Sequence, residues 1–220
     1  MNIEIQTKKK PGRPHGSFAQ NTKKRLLQAA TKQFGERDFA EVSMTMIAEE
    51  AGLTGAAIYN YYDSKDALFL DAVSLYIEQN TKILTEASLV YGSWKDRLNN
   101  VLEATKTIYK RGTQNQLLTS TTQLKIAREP EKFAPILQLR QNYSSIFQSI
   151  IADALQCGDL PDETDVTIMG DLLMALTTNG IGAVLVHRTS SQDIDAVIDS
   201  FRMLIGIKYP DSNTGTDKPP

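Results

Sequence analysis

Cysteine, histidine and tryptophan are almost missing from this 220-residue chain, which has one Cys, two His and one Trp. The lone Cys157 excludes an intramolecular disulfide and a cysteine-built metal framework. His15 and His187 stand far apart, one in an N-terminal arm and one near an expected helix end. No His-x-x-x-His pair, glycine-rich phosphate loop or nucleophile elbow accompanies them. Asp162, Glu163 and Asp165 suit the electrostatics of a helix N-terminus better than a bound cation. The expectation is therefore a protein that is not an enzyme, with no metal and no cofactor. No apolar run reaches 18 residues, so no membrane-spanning helix is expected. No apolar segment follows the basic N-terminus either, so no secretory signal is expected and the cytoplasm is the expected compartment. Val, Ile and Thr form no alternating runs and no Asn-Gly hairpin signal occurs, so no sheet is expected.

What is present is an ordinary globular composition, 41% hydrophobic, with length for one large domain or a small one plus a larger one. The charge is unevenly placed. Residues 1–25 carry Lys8, Lys9, Lys10, Arg13, Lys23, Lys24 and Arg25 against Glu4 alone, a net of +6 in a chain whose total is −2. A polyanion responds to the local field of the face it docks on, so an acidic total does not exclude nucleic acid.

Residues 1–19, with a Lys run, Pro11, Gly12, Pro14 and Gly16, read as a flexible basic arm. A helical pattern starts at Asn21, with Leu26, Leu27, Ala30 and Phe34 on one face. It should stop near Arg37 and Asp38, where Asp tolerates a left-handed conformation. Ser43 is a candidate N-cap for a helix over Met44–Ala51 that ends at Gly52. Thr54 can cap a short third helix with Ile58 and Tyr62 inward, and Ser64 a long fourth one to about Val90. Further helices are expected over Ser93–Arg111, Asn115–Arg128, Pro135 to an end at Cys157-Gly158, Asp162–His187 and Ser191–Lys208, with a disordered tail over 210–220. The fold class is all-α.

The stretch "SMTMIAEEAGLTGAAIYNYYDSKDALF" carries the functional signal. Two short helices joined at "AGLT" have the proportions of a helix-turn-helix, whose second helix lies in the major groove. Gly55, Ala56 and Ala57 have almost no side chain and allow close approach to base edges. Asn60 can pair with adenine bidentately. Tyr59 and Tyr61 can donate to phosphate oxygens, and Lys65 adds a cation at the next helix start. Tyr62 reads as core.

This stretch, with the preceding "TKKRLLQAATKQFGERDF", resembles the DNA-binding domain of TetR-family transcriptional regulators over about residues 20–70. The marks are Phe34, Ile47-Ala48, Ala51-Gly52-Leu53, Ile58-Tyr59, Tyr62 and Lys65-x-x-Leu68. Asp38 stands where the family usually has glycine, and Gly55 where Lys, Arg or Gln is frequent. The resemblance implies an N-terminal three-helix helix-turn-helix domain over 20–66 and a larger helical effector-binding and dimerisation domain over 67–209. It implies a homodimer on a palindromic double-stranded DNA operator, usually a repressor, released by a small-molecule effector. Carried over by position, Thr45, Gly55, Ala56, Ala57 and Asn60 become base-proximal candidates, and Tyr59, Tyr61 and Lys65 phosphate candidates.

Three further features have two readings each. The arm is either a solvated tail or a minor-groove arm led by Lys10 and Arg13. The last two helices are apolar around their circumference, with Gly170, Ala175, Gly180, Gly182 and Ala183 permitting close approach, and are either core or a dimer face. Trp94, Tyr109, Phe133, Tyr143 and Phe147 are either core or the wall of a pocket for an apolar or amphipathic effector. The alternative to a DNA-binding regulator is a helical small-molecule-binding or interaction module that no longer reads DNA.

Overall fold

The computed structural model describes residues 16–111, 116–185 and 190–206, and they are helical without a strand. Helix α1 spans Gly16–Glu36 and α2 spans Met44–Glu50. A single 3₁₀ turn, Ala57–Asn60, follows. The chain continues in α3 (Lys65–Ser88), α4 (Trp94–Arg111), α5 (Gln116–Arg128) and α6 (Ala134–Gln156). Helix α7 runs over Val166–Leu185 with a π turn at Leu176–Gly180, and α8 covers Ser191–Leu204.

Local chemistry sets most of these boundaries. Ser43 and Ser64 are N-caps whose hydroxyls accept from the Met46 and Ala67 amides, both at 3.1 Å. Asp96 closes a capping box with Ser93, accepting from its amide at 2.8 Å while its own amide donates back to the hydroxyl. Asp165 is the N-cap of α7, so the acidic cluster there serves a helix start. Gly158, at φ +74°, follows the end of α6.

Four expectations are corrected. Helix α1 begins at Gly16, five residues before Asn21, so residues 16–19 are helix rather than arm. Asp38 is not left-handed: among the described residues only glycines have positive φ. Its carbonyl instead closes a turn, accepting from the Glu41 and Val42 amides at 3.0 and 3.3 Å, and this returns Phe39 to the core. The third helix is reduced to the 3₁₀ turn because no side chain caps it, and the Tyr61 and Tyr62 amides both end on the Ile58 carbonyl. Finally, α7 is long and apolar enough to cross a membrane by length and composition. It packs on α6 and α8 here, and Asp171, Thr177 and Thr178 are engaged in hydrogen bonds. Residues 1–15, with Lys10 and Arg13, and 207–220 lie outside the described residues.

Two apolar cores share α3 as their spine. The first gathers Leu26, Phe34, Ile47, Ile58 and Tyr62 with Leu68 and Phe69, and also takes Leu118, Phe133 and Ile136 from α5 and the start of α6. The second joins the end of α3 to α4, α6, α7 and α8. There Arg202 is buried, its guanidinium bonded to Asn99, Asp199 and Glu103. Burial alone would lower its pKa, but the two carboxylates outweigh this and hold it above its ordinary value.

The corner after α2 is a Schellman turn: the Leu53 amide donates to the Ala48 carbonyl at 2.8 Å and the Gly52 amide to Glu49 at 2.9 Å. Gly52 has φ +68°, and a Cβ there would lie 3.0 Å from Nη2 of Arg25. Gly52→Ala is expected to destabilise the protein by about 1–2 kcal/mol, the cost of a non-glycine residue in that conformation. A lowered urea midpoint at unchanged slope would register it.

Candidate nucleic-acid interface

The exposed end of the N-terminal domain is built around the 3₁₀ turn. Ile58 and Tyr62 anchor it from below: both are buried, and the Tyr62 hydroxyl donates to Asp71 at 3.1 Å. Burial, reinforced by the Asp71 carboxylate, pushes the Tyr62 phenol well above its ordinary pKa, so it remains a hydrogen-bond donor. With these two residues facing inward, Tyr59 and Asn60 between them face out. Tyr59 is 57% exposed, Asn60, Ala56 and Thr45 are exposed, and Gly55 and Ala57 are half-buried. Tyr61 is also half-buried and packs against the first core.

The structure therefore brings Thr45, Gly55, Ala56, Ala57, Tyr59 and Asn60 to one surface and assigns two predicted residues a different task. A Cβ on Gly55 would sit 3.1 Å from both Oγ1 and Cγ2 of Thr45. Its glycine gives clearance between α2 and the turn, which explains why no longer side chain stands there. Lys65 is directed inward: Nζ donates to the Phe39 carbonyl at 2.6 Å and to Val42 at 2.8 Å, and lies 4.3 Å from the Phe39 ring centroid. Burial and the Lys125 ammonium lower its pKa. An ammonium has three donors, so one remains for an external acceptor.

A residue that sequence reasoning overlooked holds this surface in place. Arg25 of α1 donates through Nε to the Ala51 carbonyl at 3.0 Å and through Nη2 to Ala51 and Gly52. These carbonyls have no partner within α2 because the helix ends there. In the sequence, Arg25 is one of seven N-terminal cations and nothing in periodicity separates it from Lys24. A second junction joins this domain to α5 and α6. Asp66 pairs with Lys125 at 2.7 Å and Lys132 at 2.6 Å, and Lys125 also stands 3.6 Å from the Phe39 ring centroid. Burial would raise the Asp66 pKa, but the two ammoniums outweigh it and hold the carboxyl below its ordinary value.

The five aromatic pocket candidates separate. A cavity of about 100 Å³ lies among α3, α4, α5, α6 and α7, with Tyr109 and Tyr143 in its wall. Trp94 is elsewhere, its indole donating to Asp159 at 2.6 Å. Phe133 belongs to the first core, 6.3 Å from Phe69, and Phe147 is fully buried beside Tyr143. Sequence reasoning missed Tyr76, Asn80, Gln123, Arg140 and the π-turn residues Thr177–Asn179, because no single-helix pattern marks a wall shared by five elements. Gly170 likewise serves internal packing: a Cβ there would lie 2.8 Å from the Gln148 backbone on α6.

A corner-braced turn that exposes small and hydrogen-bonding side chains beside a helical domain with an internal cavity defines a helix-turn-helix protein. Residues 26–72 match the family model for bacterial regulatory proteins of the tetR family. The chain is 23% identical over 192 residues to the HTH-type transcriptional regulator YdgC of Bacillus subtilis, covering 87% of this chain and 86% of that one. Its fold is similar to that of the fatty acid degradation regulator FadR from Bacillus halodurans (TM-score 0.71, 13% identity, 88% and 96% of the two chains). It is also similar to FadR from Bacillus subtilis, solved in complex with stearoyl-CoA (TM-score 0.69, 17% identity, 83% and 96%). The segment over residues 26–72 is thus a tetR-family DNA-binding domain, and the likeness to a transcriptional regulator extends over most of the chain.

Lys65→Met is expected to lower the free energy of unfolding by about 1–3 kcal/mol, because two carbonyls lose charge-assisted partners. Chemical denaturation without DNA reads this directly. A lysine that served phosphate alone would leave the midpoint unchanged.

Proposed function

We propose that the protein is a repressor that binds a palindromic operator as a homodimer in the cytoplasm and is released by a small apolar or amphipathic molecule entering the cavity. The observation that carries this reading is the outward turn at Gly55–Asn60. Thr45, Ala56, Ala57 and Asn60 are the proposed base-edge residues, with Gly55 letting α2 and the turn approach the groove together. Tyr59 and the remaining donor of Lys65 are the proposed phosphate contacts, with Tyr61 beside them. Lys10 and Arg13 are proposed to follow the minor groove.

The homodimer is supported by one face of α7. Ile168, Leu172, Leu176 and Val184, at four-residue or eight-residue spacing, are 59%, 53%, 46% and 46% exposed, and Met203 and Leu204 of α8 are 71% and 79% exposed. A two-fold interface would cover this apolar surface and give the two reading heads the symmetry of a palindrome. The effector role is supported by the cavity among α3, α4, α5, α6 and α7. The similarity to a regulator solved with stearoyl-CoA favours an amphipathic ligand.

Two measurements test the assembly and its target. In a titration against DNA flanking its own gene, Tyr59→Phe is expected to weaken binding about three- to tenfold through one lost hydrogen bond. Asn60→Ala should weaken it further and relax base discrimination at one position. Deleting residues 1–15 should reduce the log–log salt slope by about 0.9 per lost phosphate contact. Absence of specific binding at low salt would favour the module that does not read DNA. Leu172→Arg is expected to convert the dimer to monomer in sedimentation equilibrium and to weaken operator binding with it. A Leu172→Arg protein that remains dimeric would place the interface elsewhere.

A further inference from the structure

The cavity has an uneven chemical lining. Val73, Ile77, Ile108, Leu118 and Met174 make its apolar walls. Thr105, Thr122 and Thr177 are buried in the lining, but each hydroxyl is already satisfied by a carbonyl of its own helix, Val101, Leu118 and Leu173 respectively. They present methyl groups rather than free donors to a guest. Tyr109 is committed too, its hydroxyl donating to the Thr177 and Thr178 carbonyls of the π turn. Burial pushes the Tyr109 and Tyr143 phenols well above their ordinary pKa, so neither is an anion near neutral pH.

Among the described residues of the lining, one is charged: Arg140 of α6. It stands one helical turn before Tyr143, half-buried, and exposed Gln123 and half-buried Asn80 belong to the same lining. Among the described residues no Asp or Glu is in the lining and Arg140 takes part in no ion pair. This differs from the chain's other half-buried or buried cations. Lys65 and Lys125 are held by carbonyls, a carboxylate and rings, and Arg202 by two carboxylates and an amide. A guanidinium partly removed from water is best compensated by a carboxylate or phosphate that meets its planar donors.

We infer that the cavity takes an anionic amphiphile, its apolar body against Val73, Ile77, Leu118 and Met174 and its negative group paired with Arg140 at the polar end. This deepens the effector role proposed above and depends on it only for the consequence at the operator. A carboxylate on a short acyl chain and the phosphates of the corresponding coenzyme A thioester share this chemistry, and the two are separable by experiment.

The test uses the full chain, with octanoate, octanoyl-CoA and the uncharged octan-1-ol as probes, and reads binding by calorimetry and thermal shift without DNA. Octanoate or octanoyl-CoA is expected to bind at least about tenfold more tightly than octan-1-ol, the scale of one charge-assisted contact. Arg140→Gln should remove that preference and leave octan-1-ol binding little changed, while Arg140→Lys should restore part of it. Binding of octanoyl-CoA without octanoate would identify the phosphates as the partner; binding of octanoate would identify the carboxylate. The inference is overturned if octan-1-ol binds the wild-type chain as tightly as the anions, if Arg140→Gln keeps the preference, or if neither anion binds. Arg140-dependent binding that leaves operator affinity unchanged would uphold the site and count against the effector reading. Operator release by the anions that is equal in wild type and Arg140→Gln would do the reverse.

Discussion

The surface proposed to face DNA depends on how the chain closes the end of α2. The short α2 and the 3₁₀ turn after it cannot fix their mutual angle through their own backbone bonds, because each end leaves amides or carbonyls unpaired. Here the left-handed Gly52 turns the chain, and the Arg25 guanidinium crosses from α1 to take the carbonyls of Ala51 and Gly52. The angle between α2 and the 3₁₀ turn is thereby tied to α1. Tyr62 and Asp71 fix the far side, where Lys23 also pairs with Asp71 at 2.9 Å. The outward residues between these ties need no partners of their own.

A second tie couples that surface to the rest of the molecule. Phe34, Phe39 and Phe69 pack edge-to-face or stacked within 5.5 Å of one another, and Phe133 adds its edge to Phe69. Lys125 covers the cluster from α5 and is neutralised by Asp66 at the start of α3. Leu118, Thr119, Thr122 and Gln123 of the same α5 line the cavity. One rigid helix thus touches both the place where a small molecule is proposed to bind and the cap from which the reading turn is hung. A shift of α5 would act on Asp66 and Phe39 directly.

Helix α7 serves two surfaces at once. Its π turn widens the backbone so that the Thr177 and Thr178 carbonyls reach the Tyr109 hydroxyl, while its outer face carries Leu172, Leu176 and Val184. An α-helix of regular pitch would keep those carbonyls within its own ladder. One helix thus walls a cavity and exposes apolar residues on its outer face.

Helix existence, most caps and the all-α class were legible in the order of residues, because Ser43, Ser64 and Ser93 cap through bonds made within a few positions and Pro135 suits a first turn, having no amide N–H to satisfy. So was the small, hydroxyl-rich stretch at Gly55–Tyr62, since burial of Ile58 and Tyr62 follows from spacing alone. The roles of Arg25, Lys65 and Arg140 were not legible. Each is a long side chain whose partner, or lack of one, is decided by residues about 20 or more positions away or by a wall drawn from five helices. The same reason separates the aromatic residues: Tyr109 and Tyr143 reach the cavity while Phe133 does not, although all three sit on helices with apolar faces. Local order of residues determined which segments are helices and which turn faces outward; only the packing of those helices decided which long charged side chains are spent on internal carbonyls and carboxylates and which comes to line the cavity.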